Sequence, residues 1–384
     1  ISLPIVDGGW STMATISWAW PYAFLMFPLL IAVNVVMILL NKTNTINADL
    51  WNVWLKIFTA VAVVSITHSV ILAFVIAAVQ IILELKSSDA HQHRIEKLTG
   101  IPGVSVTHAT LFFGAILYPI ALVLRKIPGL NREFDTDMLK DKVGIFAENH
   151  VMGFILGCLF GILAKYSLAQ ILTTGIKAAA AMTLFPVVAK YFMQALSPIS
   201  EAVSAFMNKK FEGKTLIVGL DWPILGGCNE IWLAILWSIP FMLIYSMVLP
   251  GNEILPFAGL MSASLALPAF LVTRGNLLQM SILCVIGAPV FLWVGTAFAP
   301  FMTELAIATG SIDLQAGELI SNSLINGPVF TYSISHLFKF LKGNFMPLII
   351  FAVWLAGFIL YYRDLMREAR EDAALEAGNA KAGQ

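Results

Sequence analysis

The chain has 384 residues, of which 59% are hydrophobic and only 12% are charged, and its mean hydropathy is +0.83. An ordinary soluble domain carries about 25% charged residues, so this composition excludes a water-soluble globular protein. The 23 basic and 23 acidic residues give a net charge of zero, which offers no electrostatic basis for binding nucleic acid. Long apolar runs occur along the whole length, so the sequence predicts an all-α, polytopic integral membrane protein.

Several apolar segments approach the roughly 20 residues that a helix needs to cross the hydrocarbon core. The first is preceded by tryptophan and tyrosine side chains, which are typical of the membrane interface. In chain order, the candidate spans are 18–40, 57–83, 104–124, 151–172, 178–196, 231–249, 254–272, 277–298 and 346–362.

The segments between the spans are polar and differ in character. Residues 84–97 read as a charged loop, and the basic residues of 125–142 place that loop in the cytoplasm. Apolar residues recur at helical spacing from 190 to 209, which predicts an interfacial amphipathic helix bent at Pro198. The charged tail after Arg363 reads as a cytoplasmic helix or a frayed end.

Small residues mark one further span. Gly153, Gly157 and Gly161 recur every four residues, a spacing that lets two membrane helices approach closely. We therefore predict a packing role for these glycines. The three cysteines stand singly and form no pattern of metal ligands, and the sequence contains no P-loop or dinucleotide-binding motif, so we predict neither a metal nor a cofactor.

Two short segments resemble each other. Residues 6–10 read VDGGW and residues 218–222 read VGLDW, and each precedes an apolar segment. Many transporters consist of two inverted repeats whose broken, re-entrant hairpins meet at the substrate site. The similarity predicts such a repeat, and by the same comparison we expect about 70 residues to precede Ile1.

Ionisable residues at membrane depth are candidate functional residues, because burying a charge there is costly. Asp221 lies at an apolar tip that Pro223 interrupts, and Glu148 directly precedes a span. The alternative for Glu148 is that it marks the membrane interface.

Other candidates combine amides, carboxylates and imidazole, which can satisfy several hydroxyl groups at once. His108 lies between Thr107 and Thr110 in a segment too polar for a plain lipid-facing span, although a lone histidine can also be a packing residue. Asp49 and Asn52 lie in a polar patch beside tryptophan, which can equally be a hydrated loop.

Several blocks together resemble the galactitol-type IIC permease family of the phosphoenolpyruvate-dependent phosphotransferase system. The similarity extends from about Val6 to Arg363, and the blocks occur in the order that the family shows. They are VDGGW at 6–10, NADLWNVW at 47–54, GLD at 219–221, PGN at 250–252 with LPF at 255–257, and RGNL at 274–277.

This resemblance, together with the more distant ascorbate-type permeases, implies a homodimer with elevator-like motion in a bacterial plasma membrane. It implies a core domain in residues 1–142 and 216–344, a V-shaped dimerisation domain in 143–215, and a last span with a cytoplasmic tail in 345–384. The solute would be a sugar alcohol. A IIB protein, recharged by IIA, would phosphorylate it through a IIB cysteine, so this chain needs no phosphorylated residue of its own.

The resemblance also implies the site residues. The first hairpin tip contributes Gly9, Trp10 and Ser11, and the acidic position matches Glu148. The remaining matches are Asp49, Asn52, His108 and Asp221, and the Asp221 carboxylate would be the catalytic base on the hydroxyl that is phosphorylated. Trp222 stands where the family has proline, which leaves the exact polyol open.

Two alternatives remain open from the sequence. A proton- or sodium-coupled secondary transporter of a small polar solute would also need carboxylates at membrane depth. A membrane enzyme acting on lipid would need a catalytic cluster at one interface, whereas the polar candidates are scattered over both halves of the chain.

Overall fold

The apolar segments fold into helices, joined by short strands at which the chain changes direction. The computed structural model describes residues 3–130, 144–210, 216–256, 263–315 and 317–382. The helices are α1 Gly9–Trp18, α2 Met26–Leu39, α3 Val53–Thr67, α4 Val70–Thr99, α5 Gly114–Leu124, α6 Asn149–Leu163, α7 Leu168–Lys210, α8 Asn229–Val248, α9 Ala263–Thr273, α10 Leu277–Thr309, α11 Pro328–Ser335 and α12 Met346–Ala382. The strands are β1 Ile5–Asp7, β2 Thr45–Asn47, β3 Val104–Val106, β4 Ile217–Leu220 and β5 Leu319–Ser321.

Four of the described helices are long and apolar enough to cross a membrane. They are α4, α8, α10 and the stretch Met346–Leu375 of α12, and α1 with the helical stretch Ala23–Leu39 adds a fifth candidate that is bent by 97°. The prediction of an all-α, multi-span membrane protein is confirmed.

One predicted span is broken. The sequence predicts a single span over 57–83, but α3 ends at Thr67 and α4 begins at Val70. His68 adopts a left-handed conformation with φ of 55°, and its N–H closes α3 on the Val64 carbonyl at 2.7 Å. The prediction was wrong because a non-glycine residue takes this conformation only rarely, and nothing in the local sequence announces it.

The predicted charged loop at 84–97 is also wrong, since α4 continues through it to Thr99. Several of its charged side chains pair with residues of other helices. Glu84 pairs with Lys56 of α3 at 2.6 Å, and Arg94 pairs with Asp364 and Glu368 of α12. The charged tail is accordingly a helix docked against α4 rather than a frayed end.

Helices α6 and α7 form a close hairpin. A Cβ placed on Gly157 would lie 2.7 Å from the Thr174 carbonyl oxygen, which confirms the packing role predicted for the glycines. The turn lies at residues 164–167, whereas the sequence placed it at 173–177, and α7 runs on to Lys210 without a separate amphipathic helix. Most side chains of 190–209 and most of the predicted cytoplasmic loop 125–142 lie outside the described residues.

The five strands form two small parallel sheets that exchange strands between the halves of the chain. β4, from the second half, lies between β2 and β3 of the first half. β1, from the first half, pairs with β5 and forms a bridge to Ile254, both in the second half. This exchange is the arrangement that an inverted repeat would produce, and the repeat itself stays a prediction.

Candidate functional site

The β2-β4-β3 sheet gathers three titratable side chains at one edge. β2 ends at Asn47, β4 at Leu220 and β3 at Val106, and Asp49, Asp221 and His108 each follow within two residues. The strands are parallel, so their carboxyl ends meet at the same edge of the sheet. One carboxylate oxygen or imidazole nitrogen from each of the three residues lies within 4.8 Å of the others.

Close packing of the strands makes this convergence possible. Gly219, in the central strand, has no side chain between its neighbours, and a Cβ there would lie 2.3 Å from the Thr107 Cγ2 atom and 2.8 Å from the Thr45 Cγ2 atom. Any larger residue would push β2 and β3 away from β4.

Asp49 is held by amide groups on both sides. The Asn52 Nδ2 donates to both carboxylate oxygens at 3.0 Å, and the Asp49 N–H donates to Asn47 Oδ1 at 2.9 Å. The Thr107 hydroxyl donates to the same Asn47 oxygen at 3.0 Å, which ties the loop after β2 to β3.

His108 has one satisfied and one unsatisfied ring nitrogen. Two groups of Thr110 contact Nδ1: the N–H donates to it at 3.3 Å, and the hydroxyl lies 2.7 Å from it. With Nδ1 as the acceptor of this N–H, the neutral ring carries its proton on Nε2. Nε2 is buried and has no hydrogen-bond partner among the described residues. The Thr110 hydroxyl oxygen also lies 3.3 Å from Asn326 Oδ1, and the Ser264 hydroxyl donates to that Asn326 oxygen at 2.6 Å.

His108, Asp221 and Asn52 border a cavity of about 410 Å³, and Asp49 lies behind Asn52. Among the described residues that line it, none is lysine or arginine. The polar lining residues are Asn52, His108, Asp221, Ser264 and Asn326, and the aromatic ones are Trp10, Trp51, Trp54, Trp222 and Trp232.

A buried ion pair lies behind the site. Lys56 and Glu84 are both fully buried, with their charged atoms 2.6 Å apart, and Lys56 Nζ also lies 3.4 Å from the Asn52 carbonyl oxygen. The Gln80 amide donates to Glu84 at 3.0 Å. This network links α4 to the start of α3, where Asn52 contacts Asp49.

The first predicted tip reaches the cavity through one side chain. Trp10 lines the cavity, whereas Gly9 and Ser11 do not, and the Ser11 hydroxyl instead donates to the Gly8 carbonyl at 3.1 Å. Asp7 holds this tip against the segment after β5, because it accepts hydrogen bonds from the Ser323 N–H, the Ser323 hydroxyl and the Gly9 N–H.

Glu148 lies elsewhere. It is the N-cap residue of α6, and it is not among the residues that line the cavity. Its predicted role in substrate binding stays a prediction.

Sequence reasoning missed several residues of this region, namely Lys56, Trp54, Ser264 and Asn326. A signal existed for Lys56, because a lysine inside the apolar run of α3 is an ionisable group at membrane depth. No comparable signal marked the other three.

Asp49, His108 and Asp221 are residue types that can hold a divalent cation, and they are equally suited to binding hydroxyl groups. The paired carboxylates accept hydrogen bonds from hydroxyl protons, and the His108 Nε2–H can donate to a hydroxyl oxygen. The geometry alone is therefore compatible with two kinds of ligand, a divalent cation or a hydroxyl-bearing solute.

Comparison with known proteins identifies the family. Residues 1–315 match the EIIC-GAT family model, described as the sugar-specific permease component of the PTS, the phosphotransferase system. The PTS system galactitol-specific EIIC component of Escherichia coli K12 is 31% identical over 367 residues, covering 94% of this chain and 80% of the relative. A putative permease IIC component from the same strain is 30% identical over 345 residues, covering 88% of this chain and 78% of that relative.

The matched region includes the strands and helices that build the site, and the long apolar helices agree with a permease. The resemblance found in the sequence is confirmed: this chain is a multi-pass protein of the bacterial plasma membrane and belongs to the EIIC-GAT family of phosphotransferase-system sugar permease components.

Proposed function

We propose that this chain carries a neutral polyol of the hexitol type across the membrane while a IIB protein, recharged by IIA, phosphorylates it. The observation that carries the proposal is the convergence of Asp49, His108 and Asp221 within 4.8 Å beside a tryptophan-lined cavity. The relative named as galactitol-specific supports a sugar alcohol as the substrate class.

The chemistry of the cavity favours a neutral, hydroxyl-rich solute. Each hydroxyl both donates and accepts, so it can use a carboxylate and the His108 N–H together. The indole faces can pack against the carbon chain of a polyol. Asp221 lines the cavity and a carboxylate oxygen of Asp49 lies within 4.8 Å of it. No lysine or arginine is among the described lining residues, and the Lys56 charge behind the site is paired with Glu84, so the carboxylates would repel a sugar acid or a phosphate. The volume of about 410 Å³ falls in the range of small-molecule sites.

Asp221 is our proposed base for the transfer step. Its carboxylate would take the proton of the substrate hydroxyl while that oxygen attacks phosphorus. The phosphorus–sulfur bond to the partner's cysteine breaks as the phosphorus–oxygen bond forms, and the IIB thiolate leaves. The Trp222 N–H donates to Asp221 Oδ1 at 2.7 Å and fixes the position of the carboxylate.

An elevator-type mechanism in a homodimer completes the proposal. Residues 1–142 and 216–344 would move together as the core, because the strand exchange joins these two segments in both sheets. The hairpin of α6 and α7, within 143–215, would form the dimer contact.

The test is a binding screen of the purified full chain against galactitol, other hexitols, pentitols and ascorbate, followed by phosphorylation in vesicles with IIA and IIB. We expect hexitols to bind and ascorbate not to bind, and Asp221→Asn to abolish phosphorylation. Unchanged turnover of that variant would remove the proposed base. Uptake that needs an ion gradient and no phosphoenolpyruvate would instead establish an ion-coupled secondary transporter.

A further inference from the structure

We propose that Trp54 is a specificity residue whose indole N–H binds one hydroxyl oxygen of the substrate, an inference that rests on the proposed function. Trp54 is the second residue of α3, lines the cavity and is 2% exposed. Its Nε1 atom is buried and has no hydrogen-bond partner among the described residues. A buried donor left unpaired is costly, so an unpaired donor on a side chain that lines a cavity points to an acceptor on the ligand.

The other two buried tryptophans among the described residues have an acceptor within the protein. The Trp232 N–H donates to the Gly226 carbonyl at 2.7 Å, and the Trp354 N–H donates to the Phe112 carbonyl at 2.9 Å. Trp232 lines the same cavity as Trp54. Two tryptophans of one cavity therefore differ in whether the protein itself supplies the acceptor.

Groups near Trp54 include both a carboxylate, which can accept a proton from a substrate hydroxyl, and a second unpaired N–H donor. Asn52, two residues earlier, holds the Asp49 carboxylate through its Nδ2 atom. His108 adds a second buried N–H without a partner at the same cavity. A hydroxyl oxygen that accepts from an N–H can donate its own proton to a carboxylate, so this mixture of unpaired donors and nearby carboxylates suits hydroxyl groups better than carbonyl or ether oxygens.

The inference makes a claim about selectivity. A substrate analogue with CH₂ in place of the hydroxyl bound by Trp54 leaves the donor unpaired, so the wild-type protein rejects it. Loss of one neutral hydrogen bond corresponds to roughly a tenfold loss of affinity. A tryptophan that only packs would discriminate far less between a hydroxyl and its deoxy analogue at one carbon.

The test compares Trp54→Phe with Trp232→Phe in the purified full chain, using galactitol and its monodeoxy analogues in a binding assay. We expect Trp54→Phe to bind galactitol about tenfold more weakly and to bind one deoxy analogue as tightly as wild type does. Trp232→Phe should keep the wild-type discrimination among the analogues. In thermal unfolding without ligand, Trp54→Phe should lose less stability than Trp232→Phe, because both variants lose the same indole volume but only Trp232→Phe also leaves the Gly226 carbonyl without its donor.

Several outcomes would overturn the inference. Galactitol binding by Trp54→Phe at the wild-type affinity would do so, as would an equal loss for galactitol and every deoxy analogue. Trp54→Tyr and Trp54→Leu also lack the indole N–H, so whichever variant folds decides the question. A wild-type protein that binds no polyol overturns the proposed function and this inference together, whereas a wild type that binds with unaffected Trp54 variants overturns the inference alone.

Discussion

The buried ion pair behind the site gives a stability prediction that depends on geometry alone. Lys56 and Glu84 lie 2.6 Å apart and neither is exposed, so replacing only Lys56 leaves an uncompensated carboxylate inside the protein. Breaking a buried pair from one side costs about 3–5 kcal/mol, whereas replacing both partners by apolar residues of similar volume is near neutral. We expect Lys56→Met to lower the free energy of unfolding by about 3 kcal/mol or more.

Unfolding in detergent micelles, followed by tryptophan fluorescence, measures this difference. The double variant Lys56→Met/Glu84→Met should recover most of the loss. Lys97→Met is the matched control, because Lys97 is 53% exposed in its pair with Asp372 and such pairs contribute about 1 kcal/mol or less. A double variant as unstable as the single one, or a Lys56→Met as stable as wild type, would refute the reasoning.

Three further predictions concern the candidate site and the packing of α6 against α7. Asp221→Asn should weaken polyol binding while leaving the ligand-free protein at least as stable, because it removes a carboxylate within 4.8 Å of Asp49, and two ionised carboxylates at that distance repel by roughly 3 kcal/mol; a marked loss of stability in thermal unfolding would contradict this. A hexitol phosphate should bind at least tenfold more weakly than the hexitol in a competition assay, and equal affinities would show that the carboxylates do not repel it. Gly157→Leu should destabilise the hairpin of α6 and α7 by about 2 kcal/mol, with Ala169→Leu at an exposed position of the same hairpin as the control; equal unfolding midpoints would contradict the packing role.

Much of the site could be predicted from the sequence because its residues are polar while the segments around them are apolar. Asp49, His108 and Asp221 are polar or charged within apolar surroundings, and the family resemblance matched them to solute-binding positions of the family. The structure brings these three together, while their role in binding substrate stays a prediction. Glu148 stands out in the sequence for the same reason, yet it lies outside the cavity, so unusual composition alone does not locate a residue.

The rest depended on contacts that are distant in sequence. The charges of 84–97 look like a loop because important partners are distant in sequence: Glu84 pairs with Lys56 of α3, and Arg94 pairs with Glu368, 274 residues later. Trp54 looks like one more apolar residue of a helix, since only the three-dimensional contacts reveal that its N–H lacks an acceptor. The break at His68 has no glycine or proline to announce it.

The exchange of strands between the two halves has a consequence for biosynthesis. β4 is the middle strand of the β2-β4-β3 sheet, because both β2 and β3 pair with it. This sheet therefore lacks its middle strand until the ribosome has made residues 217–220, more than 100 residues after β3. Until then the backbone N–H and C=O groups of β2 and β3 that later pair with β4 need other partners, such as water or another segment of protein. A gene split between the halves should yield active protein only when both fragments are co-expressed.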